Sequence, residues 1–257
     1  MEASPESRLK AILARAIPAK RWDNMALSPD SPQEEEFALH RLFGASAYRG
    51  WYFPKRLDFY FQKYALLRFD DGDGRHRFGR QYLGLIKRFT AACGGKRLLL
   101  KNPPNTGRVS LLLELFPNAR FIYLNREPAE VFHSTIRMHE QLLNRFALTS
   151  RVGLDLPAFV PAFYARLQER YESEKALIPT GNLIEIAYER LVREPEQTLN
   201  DIYAGLNLPG FSAALPAFRA FIDQQKSFRP AVYDLSAPER AAIRQRMNTG
   251  KPNTITA

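Results

Sequence analysis

The chain of 257 residues contains a single cysteine, Cys93. One cysteine excludes an internal disulfide and a metal site built from cysteines. It also makes a reducing compartment, the cytoplasm, the default expectation. Cys93 precedes two glycines at the end of a predicted helix, where we expect it to be a small buried residue. The four histidines show no metal-ligand spacing with one another, so no bound metal is expected.

The sequence also has no apolar run of the ~18 residues that a membrane span requires. Its first ten residues, MEASPESRLK, are polar and mixed in charge, so we expect no signal peptide. With 45% hydrophobic residues, the chain has the composition of a globular protein. Its length predicts one domain over residues 1–257.

Negative charge is in short supply: 27 acidic residues stand against 37 lysines and arginines, which gives a net charge of +10. This excess predicts an anionic partner, which can be a nucleotide, a nucleic acid or a membrane surface. The chain has no RNA-binding aromatic motif, no zinc-finger spacing and no lysine-rich tail, so nucleic-acid binding is not favoured. The G-x-x-x-x-G-K-[ST] phosphate loop is absent too.

Short apolar runs alternate with helical patterns, which predicts an α/β fold: a central parallel sheet flanked by helices, with an additional helical lobe. The predicted strands are 98–100, 121–124 and 183–188. The first two are separated by one helix, 107–116, which favours a parallel pair with a right-handed crossover. A serine, a proline and three glutamates predict a helix start at Ser31, with Ser31 as the N-cap. The other predicted helices are 78–92, 128–146, 156–177, 195–205, 212–225 and 237–247.

Basic residues follow the first two predicted strands, at the sheet edge where ligands of open α/β sheets bind. Lys101 follows the first strand and Arg126 the second. Pro128 then begins a helix that brings Ser134 round after two turns. An arginine fork, a helix N-terminus and a hydroxyl together match the oxygens of a phosphate group. The alternative is a surface arginine paired with a neighbouring glutamate, Glu127 or Glu130.

Three blocks of sequence resemble the bacterial sulfotransferases that use 3′-phosphoadenosine-5′-phosphosulfate (PAPS). They are RWDNM…SPQEEEFAL, LLLKNPPNTGRV…LLELFPNARFIYLNREPAEVFHST and NLIEIAYERLVREP. The resemblance implies a fold related to the P-loop nucleotide-binding proteins, with PAPS as sulfuryl donor and no metal. It implies that Arg126 and Ser134 bind the 3′-phosphate of the donor and that Tyr188 lies near the adenine. A core tyrosine at a strand end is the alternative for Tyr188.

Two departures from that family pattern affect the expected chemistry. The glycine-rich loop that binds the 5′-phosphosulfate is not found, so the first strand and this loop are expected to be missing. This leaves open a truncated, inactive protein that binds nucleotide weakly or serves as an interaction module. Pro103 and Asn105 occupy the positions where the family can place a histidine base.

A carboxylate must therefore serve as the base. Glu34 or Glu36 is expected to take the proton of the acceptor, and Lys101 to stabilise charge beside the sulfur. The alternatives are a helix start charged with acids and a lysine in a salt bridge. The acceptor, a small molecule, lipid or glycan with a hydroxyl or amine, and the oligomeric state are left open.

Overall fold

The structure is a computed structural model that describes residues 28, 31–226 and 233–250. The described part is mostly helical and contains one small parallel sheet. Its helices and strands, in chain order, are α1 (Glu35–Phe43), α2 (Leu57–Tyr64), α3 (Gly74–Ala92), α4 (Val109–Leu115), β1 (Phe121–Asn125), α5 (Pro128–Phe146), α6 (Leu156–Glu174), β2 (Leu183–Ala187), α7 (Tyr188–Arg193), α8 (Pro195–Gly205), α9 (Phe211–Gln225) and α10 (Ala237–Thr249).

The sheet pairs the second predicted strand with the third. β1 and β2 run parallel, in a register that places Phe121 opposite Leu183 and Asn125 opposite Ala187. The predicted α/β class with parallel strands is therefore confirmed in its coarse form. The relationship to P-loop folds stays a prediction.

The strand predicted at 98–100 is wrong, because these residues have no regular structure. Leu98 and Leu100 pack partly against the core cluster around Tyr82, while Leu99 between them is exposed. The segment thus alternates as a strand does, but no partner strand among the described residues completes a hydrogen-bonded ladder with it. The parallel pair expected between this segment and residues 121–124 does not form for the same reason.

Helix α1 begins later than predicted. Its N-cap residue is Glu34, whose backbone is extended, and the first helical residue is Glu35. The Ser31 hydroxyl instead accepts a hydrogen bond from the backbone N–H of Ser28 at 2.9 Å. Ser31 therefore closes a local turn, and the prediction that it caps the helix is wrong.

The aromatic section after α1, residues 48–69, folds into short pieces, and its one proline, Pro54, begins the second of them. Two 3₁₀ turns, Ala47–Trp51 and Pro54–Arg56, precede the short helix α2. The aromatic rings still supply core: Trp51 and Phe61 are buried in two neighbouring clusters.

Cys93 was expected to be buried, but it is exposed. It follows the last residue of α3 and precedes Gly94 and Gly95, whose φ angles are both positive. The left-handed backbone that glycine permits at this helix end turns the chain away from the core. Cys93 therefore lies on the outside of that turn.

Candidate active site

Arg126 and Tyr188 meet at the carboxyl edge of the sheet. Each directly follows its strand, and the register of Asn125 opposite Ala187 makes them neighbours. The Arg126 guanidinium carbon lies 4.6 Å from the centroid of the Tyr188 ring. Both side chains are half-buried. The structure therefore brings together two of the predicted donor-binding residues.

The acidic neighbours of Arg126 are occupied by other arginines. Arg244 of α10 donates two hydrogen bonds to the Glu127 carboxylate, both at 2.7 Å. Arg240, one turn earlier, donates to Glu130 at 3.2 Å. The hydrogen bonds from Arg244 hold the pKa of Glu127 below its ordinary value. The alternative in which Arg126 pairs with Glu127 or Glu130 is wrong, and no carboxylate of the described residues pairs with it.

The N-terminus of α5 is less open than the sequence suggested. The Glu127 carboxylate accepts a hydrogen bond from the backbone N–H of Ala129 at 3.4 Å. The backbone N–H of Glu127 in turn donates to Glu189 at 3.2 Å. These carboxylates accept hydrogen bonds from backbone N–H groups that could otherwise bind an anion. Ser134, two turns into α5, is half-buried, and its hydroxyl has no hydrogen-bond partner among the described residues.

Glu34 and Lys101 form an ion pair, although 67 residues separate them along the chain. The Tyr48 hydroxyl donates a second hydrogen bond to the Glu34 carboxylate. Burial and the adjacent Glu34 charge raise the pKa of Tyr48 well above its ordinary value, so the phenol stays protonated and donates. The Glu34 side chain is 16% exposed and the Lys101 side chain is 69% exposed. The carboxylate is therefore held in place, whereas the lysine reaches it from solvent.

Glu35 is held by the segment that follows Lys101. Its Oε1 accepts hydrogen bonds from the amides of Asn105 at 2.7 Å and Asn102 at 3.2 Å. The Tyr82 hydroxyl donates to the same oxygen at 2.7 Å. Sequence reasoning missed these three partners. The two amides of the KNPPN stretch were the one local signal, and nothing in the sequence around Tyr82 indicated its contact with Glu35.

Glu36 is paired with Arg108 in the interior. The two guanidinium nitrogens Nη1 and Nη2 donate to its two oxygens at 2.8 and 3.0 Å, and neither side chain is exposed. Burial opposes the charge, but Arg108 and the hydrogen bond that Asn102 donates outweigh it and lower the pKa of Glu36. Arg108 therefore lies in the interior of the protein.

The surroundings of Glu34 and the helix α5 share one hydrophobic cluster. Tyr48, which holds Glu34, stacks on Trp51 with ring centroids 4.1 Å apart. Both rings pack in a cluster that includes Ile136 of α5, two residues beyond Ser134. The described residues show no direct contact between the Glu34 pair and the Arg126 pair.

Residues 8–213 match a family model described as the sulfotransferase family. The match covers well over half of the chain and includes every candidate residue named above. The chain belongs to the sulfotransferase family.

Two relatives within this family have named activities. They are the omega-hydroxy-beta-dihydromenaquinone-9 sulfotransferases Stf3 of Mycobacterium bovis and Mycobacterium tuberculosis. Each is 29% identical over 224 residues, which are 87% of this chain and 57% of the relative. The chain therefore spans little more than half the length of these relatives. No solved structure matches it.

Two kinds of feature are absent from the part of the chain that the structure describes. It holds no group of three or more histidine, cysteine, aspartate or glutamate side chains suited to a metal ion. None of its helices combines the length and apolar character needed to cross a bilayer.

Proposed function

We propose that this sulfotransferase-family chain transfers a sulfuryl group from PAPS to a hydroxyl group of its acceptor. One observation carries the proposal: Arg126 lies against Tyr188 at the sheet edge while its acidic neighbours, Glu127 and Glu130, are neutralised by α10. Arg126 is half-buried and has no carboxylate partner among the residues that the structure describes, so its guanidinium is available to a phosphate. The resemblance of this segment to PAPS-dependent sulfotransferases supports the 3′-phosphate of the donor as that group.

The 3′-phosphate of the donor is assigned to Arg126 and Ser134. Arginine presents two parallel N–H donors to a phosphate. The Ser134 hydroxyl, which has no hydrogen-bond partner in the described ranges, adds a third. Tyr188 holds the guanidinium by a cation–π contact, which limits its motion before the ligand arrives. The tyrosine ring also offers a surface for the adenine.

The sulfuryl end is assigned to Glu34 and Lys101. The acceptor oxygen attacks sulfur and forms the new S–O bond as the bond from sulfur to the 5′-phosphate oxygen breaks. Glu34 accepts the hydroxyl proton, and 3′-phosphoadenosine-5′-phosphate (PAP) leaves with the bonding electrons. Lys101 stabilises the charge that builds on the leaving oxygen.

Glu34 and Lys101 differ in solvent exposure, and their side chains therefore differ in mobility. Tyr48 fixes Glu34, whereas Lys101 is mostly in solvent. We therefore assign the motion to Lys101: it exchanges the Glu34 carboxylate for the donor's oxygens when the donor binds. The exchange leaves Glu34 free to take a proton at the moment it is needed.

Glu36, the second candidate base, is not used in this proposal. Its two oxygens are occupied by Arg108, Asn102 and the backbone N–H of Ala47. A carboxylate so enclosed cannot reach an acceptor hydroxyl without the network opening. Glu36 therefore supports the site instead of reacting in it.

A hydroxyl acceptor is preferred to an amine because both named relatives carry omega-hydroxy in the name of their substrate. The acceptor scaffold is assigned by that similarity alone, as a lipid-like alcohol. A catalytically inactive nucleotide binder is the second candidate, since the sequence contains no glycine-rich phosphosulfate loop.

The decisive experiment is calorimetric titration with PAP and with the two nucleotides that each lack one of its phosphates, adenosine 3′-monophosphate and adenosine 5′-monophosphate. Arg126→Ala should weaken the binding of PAP and of the 3′-monophosphate by about 10- to 100-fold, because hydrogen bonds to a charged group are lost. It should leave the 5′-monophosphate unchanged. Lys101→Met should weaken the binding of PAP and the 5′-monophosphate and leave that of the 3′-monophosphate unchanged. Ser134→Ala should weaken the binding of the same nucleotides as Arg126→Ala, by a smaller factor.

Arg145→Ala is the matched control, because Arg145 lies exposed at the far end of the same helix as Ser134. It should change none of the three affinities. If Arg126→Ala lost affinity equally for all three nucleotides, the assignment of Arg126 to the 3′-phosphate would be contradicted. Micromolar PAP binding without turnover of any hydroxyl acceptor would favour the inactive alternative.

A further inference from the structure

The outer face of α3 carries a concentration of positive charge that the proposed reaction does not use. Arg77, Arg80, Gly84 and Arg88 recur at intervals of three or four residues, and Lys87 adjoins them. Residues so spaced share one side of a helix. The opposite side of α3 is buried in the core. The four cations therefore form a strip along the solvent side of the helix, here called the α3 basic face.

A shallow recess of about 280 Å³ lies in this face. Its walls contain three arginines and one glutamine but no carboxylate; they are Phe43, Arg77, Arg80, Gln81, Gly84 and Arg88. The space beside Gly84 is open, since a Cβ at this position would have no neighbouring atom within 4 Å. The recess thus presents guanidinium groups around an open floor.

Local acids neutralise only one end of the face. Asp71 and Asp73 pair with Arg77, and Asp73 also approaches Arg80 at 3.7 Å. At the other end, Lys87 and Arg88 have no ion-pair partner among the described residues. The unpaired charge therefore increases toward the C-terminal half of α3.

Apolar side chains border the cations. Helix α1 packs against α3, and its final residues Leu42 and Phe43 are 55% and 37% exposed. Exposed aliphatic and aromatic side chains beside arginine and lysine are typical of surfaces that enter the headgroup region of a bilayer. Contacts to the phosphates of a nucleic acid need the cations but give Leu42 no apolar partner.

We propose that the α3 basic face, together with Leu42 and Phe43, docks this chain on the surface of an anionic phospholipid bilayer. The cations contact lipid phosphates, and the two apolar side chains enter the region between headgroups and acyl chains. Glu34 lies at the opposite end of the short helix α1 from Phe43, ~13 Å away at 1.5 Å per residue. Docking therefore leaves the candidate site near the bilayer but outside the contact.

The test is sedimentation of the full chain with vesicles of phosphatidylcholine alone and vesicles containing phosphatidylglycerol. Binding should require phosphatidylglycerol, and Arg80→Gln/Lys87→Gln/Arg88→Gln, which removes the cations that local acids neutralise least, should weaken it by on the order of 100-fold, ~5-fold per charge near the surface. Leu42→Ser should weaken the binding that persists at ~1 M salt, where charges are screened beyond ~3 Å.

The matched control removes three arginines elsewhere: Arg145→Gln/Arg193→Gln/Arg219→Gln. Because it changes net charge equally, it separates a local docking face from general attraction, and it should cost less than about 5-fold. Three results would overturn the proposal: no binding of the unaltered chain to phosphatidylglycerol vesicles, equal losses in both triple variants, or a triple α3 variant that keeps vesicle binding but loses binding to duplex DNA. None of these readouts depends on sulfuryl transfer.

Discussion

Removing the charge of Glu36 should destabilise the fold more than any other carboxylate change in the site. Glu36→Gln keeps the size of the side chain but leaves the Arg108 guanidinium without its counter-ion, and both side chains are fully buried. An uncompensated buried charge of this kind costs about 3–5 kcal/mol. The structure favours the upper part of that range, because Glu36 also accepts from Ala47 and Asn102.

Part of the Arg108 charge remains satisfied in that variant. Its Nε donates to the Tyr64 carbonyl at 2.7 Å, its Nη1 donates to Asn105 at 3.1 Å, and it lies 5.0 Å from the centre of the Phe78 ring. These contacts are uncharged and do not replace a carboxylate. They prevent the loss from exceeding that range.

The measurement is urea unfolding followed by far-UV circular dichroism, on Glu36→Gln, Arg108→Met and the double variant. The double variant removes both charges, so it should lose several kcal/mol less than the sum of the single losses. Glu114→Gln is the control: its exposed pair with Arg75 should contribute less than about 1 kcal/mol. Losses that simply add, or a Glu36→Gln loss as small as that control, would refute the argument.

Two further predictions concern His139 and a contrast between two glycines, Gly107 and Gly84. Burial lowers the pKa of His139 to about 4, and its Nδ1 accepts a hydrogen bond from the Trp51 indole at 3.1 Å. Because the unfolded chain takes up the proton near pH ~6.5, the contribution of His139 to stability should fall as the pH drops from ~6.5 to ~4, by up to about 1.4 kcal/mol per unit. Urea unfolding should show a smaller acid-induced loss of stability for His139→Gln than for the unaltered chain. An equal loss of stability would contradict the lowered pKa of His139. Gly107→Ala should destabilise by about 1–3 kcal/mol, since its Cβ would lie 2.5 Å from the Ala65 carbonyl oxygen. Gly84→Ala, in open space within α3, should stabilise by about 0.5–1 kcal/mol, and urea midpoints that move in the same direction would disprove this contrast.

Local signals predicted the elements that prolines begin. α5 and α8 start at Pro128 and Pro195, as expected, and both end at the predicted residues. Proline fixes φ near the helical value and has no N–H to leave unpaired. A helix start of this kind is therefore determined by a few adjacent residues. The strands after which Arg126 and Tyr188 lie were recognisable for a similar reason, as short apolar runs between helices.

Pairing across long distances could not be read in the same way. Residues 98–100 have the composition of a buried strand, but strand formation depends on a partner that periodicity does not specify. The contact between Glu34 and Lys101 likewise depends on how α1 packs, not on the sequence around either residue. Both residues were predicted singly as catalytic groups, and only the structure shows that they form a pair.

The three successive glutamates show how one segment can serve both folding and chemistry. Glu36, Glu35 and Glu34 all bind side chains of the segment from Lys101 to Arg108, yet their burial decreases toward the start of α1. The innermost pair fixes the segment to the helix, and the outermost pair is the one that solvent and ligands can reach. Loss of activity in Glu36→Gln would therefore be expected from loosening of this frame, and it would not identify Glu36 as the base. Glu34→Gln, which leaves the buried pair intact, is the substitution that separates the two roles: it should abolish turnover while the urea midpoint stays close to that of the unaltered chain.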